Sequence, residues 1–336
     1  MALTVTGFLS NTTKERMNIL VFGKDGQLGN AFQEELGKLT TALLAKPIIQ
    51  YVGRSECNLA DEELLSQLLN QVHPQLIINA SAYTAVDKAE TESNLAFAIN
   101  ARAPEVMAQY AVDHGATFLH YSTDYVFDGE KYGYYLEDDI RKPLGVYGKS
   151  KVAGEEAVAR IFASNHCGGQ YVILRTSWVY GDGSNFIRTI LRLAKEREEL
   201  KIINDQFGVP TSANWLAQVS LNLVLDEHAC LRKFTSGIYH AVPAGETTWY
   251  GLACLAMQVA LDAGATLKAH PSAIKPILAV EYPLPAPRPM NSRMSTDKLH
   301  QVFVGRGDMS KLQQLNQPWD IAVQAYVSNL AKHGLI

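Results

Sequence analysis

The chain has 336 residues, of which 47% are hydrophobic and 19% are charged, and its formal net charge at pH 7 is −4. This composition is typical of a folded globular protein and excludes a disordered chain. The charge gives no electrostatic reason to expect nucleic acid or an anionic membrane as a partner. The length predicts one two-lobed unit or two domains.

Cysteine usage and the N-terminal segment favour a cytoplasmic location. No CxxC pair or metal-ligand spacing is present, and we expect reduced thiols in a cytoplasmic protein at Cys57, Cys167, Cys230 and Cys254. No apolar run approaches the roughly 20 residues needed to span a bilayer. Residues 1–16 lack the uninterrupted apolar core of a signal peptide, and we interpret them as an N-terminal extension.

A dinucleotide-binding turn is predicted near the start of the chain. Residues 18–22 form a continuous apolar run, as expected for a buried parallel strand, and a helical pattern continues through residue 36. Between them stand Gly23, Gly26 and Gly29, in a GxxGxxG spacing. Glycines at this place let backbone N–H groups at the helix N-terminus approach a pyrophosphate.

The end of the second predicted strand bears on cofactor choice. This strand covers residues 48–52 and is followed by Gly53, Arg54 and Ser55. An NAD site usually has an acidic residue here for the ribose 2′-hydroxyl, and none is present. Arg54 stands where a 2′-phosphate would lie, which favours NADPH over NADH; the alternative is a surface arginine.

Two further strands end in residues suited to a site. Residues 76–80 run into Ser81 and Ala82, and small side chains there allow a cofactor to approach the backbone. Residues 117–121 are followed by Ser122, Thr123 and Asp124. In an open α/β sheet, reactive groups lie at the carboxyl ends of the strands. The alternative is a turn rich in hydrogen-bonding side chains.

Tyr147 and Lys151 begin a predicted helix that covers residues 147–162. Their spacing of four places both side chains on one face, one turn apart. An ammonium group beside a phenol stabilises the tyrosinate, so we expect Lys151 to lower the pKa of Tyr147 and make it a usable general acid. By itself this spacing also occurs on ordinary helix surfaces.

Strands and helices alternate as far as residue 177, which predicts an α/β fold with a Rossmann-type doubly wound parallel sheet. We expect an NAD(P)-binding domain over residues 17–177, completed by about 212–242. Residues 178–211 and 243–336 are predicted to form a smaller C-terminal substrate-binding lobe, with short helices after residue 248 and a proline-rich loop around 283–289.

Seven stretches together resemble one family. The chain is similar to the dTDP-4-dehydrorhamnose reductases, which are extended short-chain dehydrogenases, from about Met17 to the C-terminal region. The stretches are 22–29, 84–90, 122–127, 147–151, 175–180, 204–211 and 288–292.

The resemblance implies reduction of the C4 keto group of dTDP-4-dehydro-β-L-rhamnose by NADPH or NADH, giving dTDP-L-rhamnose. Tyr147 would donate a proton to the forming alkoxide, while Lys151 would bind the nicotinamide ribose. Thr123 would hydrogen-bond the reacting oxygen or the phenol, and Asp124 and Trp178 would contact the sugar. The implied cofactor contacts are Gly23, Gly26, Gln27, Leu28, Arg54, Asn58, Leu59, Ala80, Ser81, Ala82, Tyr147 and Lys151.

The sequence departs from the family pattern in two places. Asn58 stands where many members have Asp near the adenine. Some members form a homodimer bridged by Mg²⁺ through a glutamate in the first helix; the matching position here is Ala31, with Glu34 and Glu35 one turn later, so a metal is not predicted. Whether Arg288 contacts a phosphate or a carboxylate stays open.

Two alternatives remain. One is a reductase or epimerase acting on another nucleotide deoxysugar; dehydratases usually carry an acidic pair beside the threonine, whereas Tyr125 follows Thr123 and Asp124 here. The other is a regulatory subunit of methionine adenosyltransferase, which shares the fold and binds NADP without turnover. Such subunits often lack part of the catalytic set, whereas Thr123, Tyr147 and Lys151 are all present.

Overall fold

A six-stranded parallel sheet forms the centre of the protein. The computed structural model describes residues 16–41, 43, 46–164 and 168–336. The strand order is β10-β5-β4-β3-β1-β2, and all five pairings are parallel. The six strands are β1 (Asn18–Phe22), β2 (Ile48–Val52), β3 (Leu76–Asn79), β4 (Thr117–Thr123), β5 (Gln170–Thr176) and β10 (Gly237–His240). The predicted α/β fold with a doubly wound parallel sheet is confirmed.

Helices cover both faces of this sheet, because its strands are apolar on both sides. Ile19 and Val21 belong to one core, shared with α1 and α8, while Leu20 and Phe22 belong to the opposite core, shared with α2, α5 and α6. The twelve α-helices of the described residues are α1 (Gln27–Thr41), α2 (Glu62–Val72), α3 (Val86–Ala89), α4 (Ser93–Phe97), α5 (Ala103–His114), α6 (Val146–Ser164), α7 (Phe186–Glu196), α8 (Ala213–Val224), α9 (Trp249–Asp262), α10 (Asp297–Arg306), α11 (Met309–Leu315) and α12 (Trp319–Lys332).

The helical stretch that covers residues 93–114 is broken into three parts. A π-helical turn, Ala98–Arg102, separates α4 from α5. Within this turn, the Asn100 side chain accepts a hydrogen bond from the Tyr83 backbone N–H (2.8 Å) and donates to the Tyr83 carbonyl (3.0 Å) and the Ser150 hydroxyl (3.0 Å). These bonds join the turn to α6, which a helical periodicity does not predict.

The second half of the chain adds a separate apolar core. Helices α7, α9 and α12 pack together there, next to the paired strands β7 (Leu200–Ile203) and β12 (Ile274–Ile277). The expectation of short helices after residue 248 is wrong for α9 and α12, which have 14 residues each. Helices α10 and α11 instead contribute to a core of the main sheet. The remaining short strands are β6 (Val179–Tyr180), β8 (Phe207–Gly208), β9 (Thr211–Ser212) and β11 (Thr247–Thr248).

Some sequence predictions fall outside the described residues or are not tested by the structure. Residues 1–15 of the expected extension, and Cys167, lie outside them. Across the described ranges, no helix has the length and apolar character required to cross a bilayer. The division at residues 177, 211 and 242 stays a prediction.

Candidate active site

The turn between β1 and α1 brings three backbone segments close together. Gly23 has a φ of +88°, which favours glycine, and a Cβ placed on it would lie 2.9 Å from the Ala80 carbonyl. A Cβ on Gly29 would lie 1.9 Å from the Gly23 oxygen. Glycine at both positions therefore allows α1 to begin tightly against the ends of β1 and β3.

The protein has a cavity of about 660 Å³ and another of about 630 Å³, and the second of these borders the turn. The smaller one, which we call the cofactor cavity, runs along the carboxyl ends of β1, β2, β3 and β4. All twelve residues expected to contact the cofactor line it: Gly23, Gly26, Gln27, Leu28, Arg54, Asn58, Leu59, Ala80, Ser81, Ala82, Tyr147 and Lys151. Their roles as ligands remain predictions.

Charged side chains surround the end of β2. Lys24 forms an ion pair with Glu56, whose other oxygen accepts the Gly53 N–H at 2.9 Å, and together these lower the pKa of Glu56 to about 2. Asp25 lies so close to Gly53 that a Cβ there would be 2.2 Å from its carboxylate. Arg54 is exposed, lines the cofactor cavity and has no hydrogen-bond or ion-pair partner among the described residues.

Tyr147 and Lys151 lie in the first turns of α6, on the face towards β4. The Lys151 Nζ donates a hydrogen bond of 2.7 Å to the Tyr121 carbonyl, and burial lowers its pKa to about 8, opposed by the charge of Glu155. Burial raises the pKa of Tyr147 to about 12, opposed by the Thr123 hydroxyl and reinforced by the charge of Asp124. The net shift is therefore upward, opposite to the lowering expected from Lys151, because burial disfavours the phenolate.

Thr123 ends β4, and Asp124 follows it directly. The Thr123 hydroxyl donates to the Asp124 Oδ1 at 2.8 Å, and the Ser292 hydroxyl donates to the Asp124 Oδ2. Asp124 is 2% exposed, and burial raises its pKa to about 6 against the effect of these donors. Sequence reasoning missed Ser292 as a partner, since 168 residues separate it from Asp124.

The larger cavity is lined by several aromatic side chains. Trp178, expected to contact the sugar, lines it and stacks on Trp249 with ring centroids 3.6 Å apart. Trp178 has a φ of +47°, which is uncommon for a bulky residue. Tyr125 also lines this cavity, and its ring packs edge-on against Tyr147 at 5.4 Å. Tyr147, which lines the cofactor cavity, therefore contacts a residue that lines the larger cavity.

Residues 284–292, here called the 284–292 loop, form one wall of the larger cavity through Leu284, Arg288, Pro289 and Ser292. The Arg288 guanidinium binds both carboxylate oxygens of Asp87, at 2.9 Å each. The question left open by the sequence is thus settled: Arg288 contacts a carboxylate. This bidentate ion pair fixes the loop to the segment that follows β3.

A buried ion pair lies beneath the site. Glu155, one turn after Lys151 on α6, accepts two hydrogen bonds of 2.8 Å from Arg175 at the end of β5. Their side chains are 0% and 1% exposed, and Arg141 approaches Glu155 from a third side at 3.2 Å. Sequence reasoning missed this pair; the one signal was a glutamate on the buried face of a helix, opposite an arginine within a strand.

The acidic residues considered for a metal are engaged within the chain. Glu34 and Glu35 both accept hydrogen bonds from Lys38, and Asn214 also donates to Glu34. Ala31 is buried in the core. Among residues 16–41, 43, 46–164 and 168–336, no group of three or more His, Cys, Asp or Glu side chains is arranged to hold a metal ion.

Comparison with known proteins identifies the family. Residues 17–327 match the family model described as the RmlD substrate binding domain. The chain is 44% identical, over 85% of its length and 92% of the relative, to the dTDP-4-dehydrorhamnose reductase of Shigella flexneri.

Solved structures agree with this match. The chain is 30% identical to a dTDP-4-dehydrorhamnose reductase from Clostridium acetobutylicum, with a TM-score of 0.79 and coverage of 94% of this chain and 99% of the other. It is also 30% identical to the Bacillus anthracis enzyme in complex with NADP, with a TM-score of 0.76 and coverage of 92% and 98%. The expected resemblance is confirmed: the chain belongs to the dTDP-4-dehydrorhamnose reductase family.

Proposed function

We propose that this protein reduces the C4 keto group of dTDP-4-dehydro-β-L-rhamnose with NADPH, giving dTDP-L-rhamnose. One observation carries the proposal beyond family membership. Tyr147, the only proton donor that the sequence predicts, lines the cofactor cavity and packs against Tyr125, which lines a second cavity of about 660 Å³. A ketone bound beside these two tyrosines would be in reach of both a hydride donor and the phenol.

The cofactor cavity fits a dinucleotide. Gly26, Gln27 and Leu28 line it at the start of α1, where backbone N–H groups can bind a pyrophosphate. Deeper in, the buried Thr176 hydroxyl lines the cavity without a partner among the described residues, as expected where a polar ligand group would bind. A bound NADPH supplies the hydride for C4.

Charges near β2 support a preference for NADPH. The Arg54 guanidinium has no partner within the described ranges and is available for a 2′-phosphate. The Asp25 carboxylate beside Gly53 is the type of group that accepts a ribose 2′-hydroxyl, which supports acceptance of NADH as an alternative. We expect NADPH to bind more tightly, because the phosphate would add a charge-assisted contact.

The protein itself supplies the proton. A phenol with a pKa of about 12 stays protonated at neutral pH, so Tyr147 can donate to the oxygen at C4 as that oxygen gains charge. Lys151, held by the Tyr121 carbonyl one turn along α6, would stabilise the tyrosinate and bind the nicotinamide ribose. The C4 carbon gains a C–H bond and its oxygen an O–H bond.

The larger cavity would hold the dTDP-sugar. Its stacked pair, Trp178 and Trp249, offers an apolar surface beside Tyr125, and the 284–292 loop forms the opposite wall. Arg197 and Lys201 also line it and carry positive charge suited to a diphosphate. The nucleotide would therefore extend away from Tyr147, with the sugar beside Tyr125 and Tyr147.

The test is NADPH oxidation with enzymatically generated dTDP-4-dehydro-L-rhamnose, compared with the UDP- and GDP-linked analogues. We expect turnover with the dTDP-sugar and a higher KM for the other two. Turnover confined to another nucleotide would reassign the substrate. Tight NADPH binding without turnover of any of the three would favour a binding subunit over a reductase.

A further inference from the structure

The indole ring of Trp178 has one face covered by a second aromatic ring. Trp249 stacks on it with ring centroids 3.6 Å apart and an angle of 15° between the two planes. Two nearly parallel rings at this separation are in van der Waals contact, so no ligand fits between them. This face of Trp178 is therefore closed to a sugar or a base.

Gly208 covers the opposite face. A Cβ placed on Gly208 would lie 2.6 Å from both Cε2 and Cζ2 of the Trp178 indole and 3.0 Å from its Nε1. A point outside the indole but in its plane, equally close to the two carbons, would be nearer to Nε1 than to either of them, so Gly208 lies over a face of the ring. It cannot share the face of Trp249, because the parallel ring there leaves no space for a backbone. Only a residue without a Cβ allows the main chain to come this close.

One short antiparallel pair holds both covering groups. Gly208 belongs to β8, which pairs with β11, and α9 begins at Trp249 directly after β11. The Trp249 indole N–H donates to the Gln206 Oε1 at 3.2 Å, two residues before Gly208. The Phe207 N–H, between these two residues, donates to the Met290 carbonyl at 2.9 Å. The Gly208 backbone and the Trp249 ring are therefore fixed relative to each other.

The backbone of Trp178 is also constrained. Its φ of +47° lies in the left-handed region, and its carbonyl accepts the Thr211 N–H at 3.2 Å. Such strained positions persist where the surrounding structure determines them, and they cluster at binding sites. Trp178 lines the larger cavity, and its indole N–H has no acceptor among the described residues. With both faces covered, the ring can meet a ligand only with its edge, which carries that N–H.

We propose that Trp178 recognises the sugar through its edge, by donating the indole hydrogen to a sugar oxygen, and that Trp249 and Gly208 are positioning residues which hold the ring in this orientation. This rests on the proposed function, because it concerns the same substrate cavity. It replaces an unspecified contact between Trp178 and the sugar by one kind of contact. An indole N–H is only a donor, so its partner is a hydroxyl or ring oxygen of the sugar and not an apolar face.

The first test compares the binding of dTDP and of dTDP-L-rhamnose by calorimetric titration in the presence of NADP⁺. Trp178→Phe keeps an aromatic face and removes the N–H, whereas Trp178→Leu removes both. We expect both variants to bind dTDP-L-rhamnose about fivefold more weakly than the parent, the scale of one lost hydrogen bond, and to bind dTDP as the parent does. A ring that stacked on the sugar would give a different order, with Trp178→Phe close to the parent and Trp178→Leu well below it.

The second test removes the covering groups. Trp249→Leu should raise the KM for the dTDP-4-dehydro sugar about fivefold, with kcat and the KM for NADPH within about twofold of the parent, because the Trp178 ring is free to turn. Trp249→Phe keeps a stacked ring and should recover most of this loss. Gly208→Ala should raise the sugar KM at least as much as Trp249→Leu, since its Cβ would displace the indole.

Trp319→Phe and Gly305→Ala are the matched controls. Trp319 lies outside the lining of both cavities, and a Cβ on Gly305 would meet no atom of the described residues within 4 Å. We expect both variants to bind dTDP-L-rhamnose as the parent does. Circular dichroism gives a readout without substrate, because stacked indoles couple and produce paired bands of opposite sign in the far ultraviolet. Trp249→Leu should lose these bands, and Trp319→Phe should keep them.

Contrary outcomes are specific. A Trp178→Phe variant that binds dTDP-L-rhamnose as tightly as the parent would overturn the edge contact. A sugar KM in Trp249→Leu equal to that in Trp319→Phe would remove the positioning role. Thermal unfolding checks that each variant is folded; if Trp249→Leu is not, the titrations of Trp178→Phe decide.

The titrations also separate this proposal from the proposed function. Failure of the parent protein to reduce any of the three nucleotide sugars would overturn the proposed function. A parent that nevertheless binds dTDP-L-rhamnose, and loses affinity for it in Trp178→Phe, would still support the edge contact. A parent that binds neither dTDP nor dTDP-L-rhamnose would overturn both.

Discussion

Replacing Lys151 by methionine should stabilise the protein while abolishing its activity. The side chain of Lys151 is buried, and burial lowers its pKa from 10.5 to about 8. One pH unit corresponds to about 1.4 kcal/mol, so keeping this lysine charged in the folded state costs about 3 kcal/mol at neutral pH. The variant also loses the hydrogen bond to the Tyr121 carbonyl, which destabilises it by about 1–2 kcal/mol. The free energy of unfolding of the variant should therefore exceed that of the parent by about 1–2 kcal/mol.

The difference in stability between the parent and the variant should change with pH. The folded-state pKa is depressed, so the unfolded chain binds more protons between about 8 and 10.5, and the stability of the parent rises with pH across that window. The methionine variant lacks this contribution. Its advantage in free energy of unfolding should therefore be largest at neutral pH and shrink as the pH rises through the window.

Urea unfolding of the parent and of Lys151→Met across this pH range provides the assay. Lys149→Met is the matched control, since Lys149 lies on the same helix and is exposed; its stability should stay within about 0.5 kcal/mol of the parent. A Lys151→Met variant that is less stable than the parent at neutral pH would refute the reasoning, as would an advantage that does not change with pH.

Two further predictions concern other charged groups. Glu155→Gln should lower the free energy of unfolding by about 3–5 kcal/mol, because it leaves the buried Arg175 cation without its anion. Glu196→Gln, which breaks an exposed ion pair, should lower it by less than about 1 kcal/mol in the same urea titration. Equal losses of stability in the two variants would contradict the role of burial. Arg54→Ala should raise KM for NADPH and leave KM for NADH unchanged, and equal KM values for the two cofactors in the parent enzyme would remove the argument for Arg54.

Local patterns in the sequence predicted well the secondary-structure elements that carry the site residues. The glycine turn at Gly23 and Gly26 stands directly after an apolar strand, and the spacing of Tyr147 and Lys151 fixes their common helix face. Both signals span only a few residues and depend on backbone geometry alone. The structure confirms the parallel sheet and brings the predicted cofactor contacts to one cavity.

The sequence did not predict the contacts between distant parts of the chain. The Asp87–Arg288 and Asp124–Ser292 bonds join residues separated by 201 and 168 positions, and nothing in the spacing of either pair marks them as partners. The pKa of Tyr147 was also out of reach. The direction of its shift depends on a balance between burial and charge, and the burial of a side chain is set by the whole fold.

The most direct measurement compares the parent protein with Tyr147→Phe in NADPH oxidation and NADPH binding. Phenylalanine keeps the ring that packs against Tyr125 and removes the donated proton. We predict that the variant binds NADPH as the parent does, while kcat with dTDP-4-dehydro-L-rhamnose falls by ~10² or more. A folded Tyr147→Phe variant with the turnover of the parent would contradict the assignment of Tyr147 as proton donor.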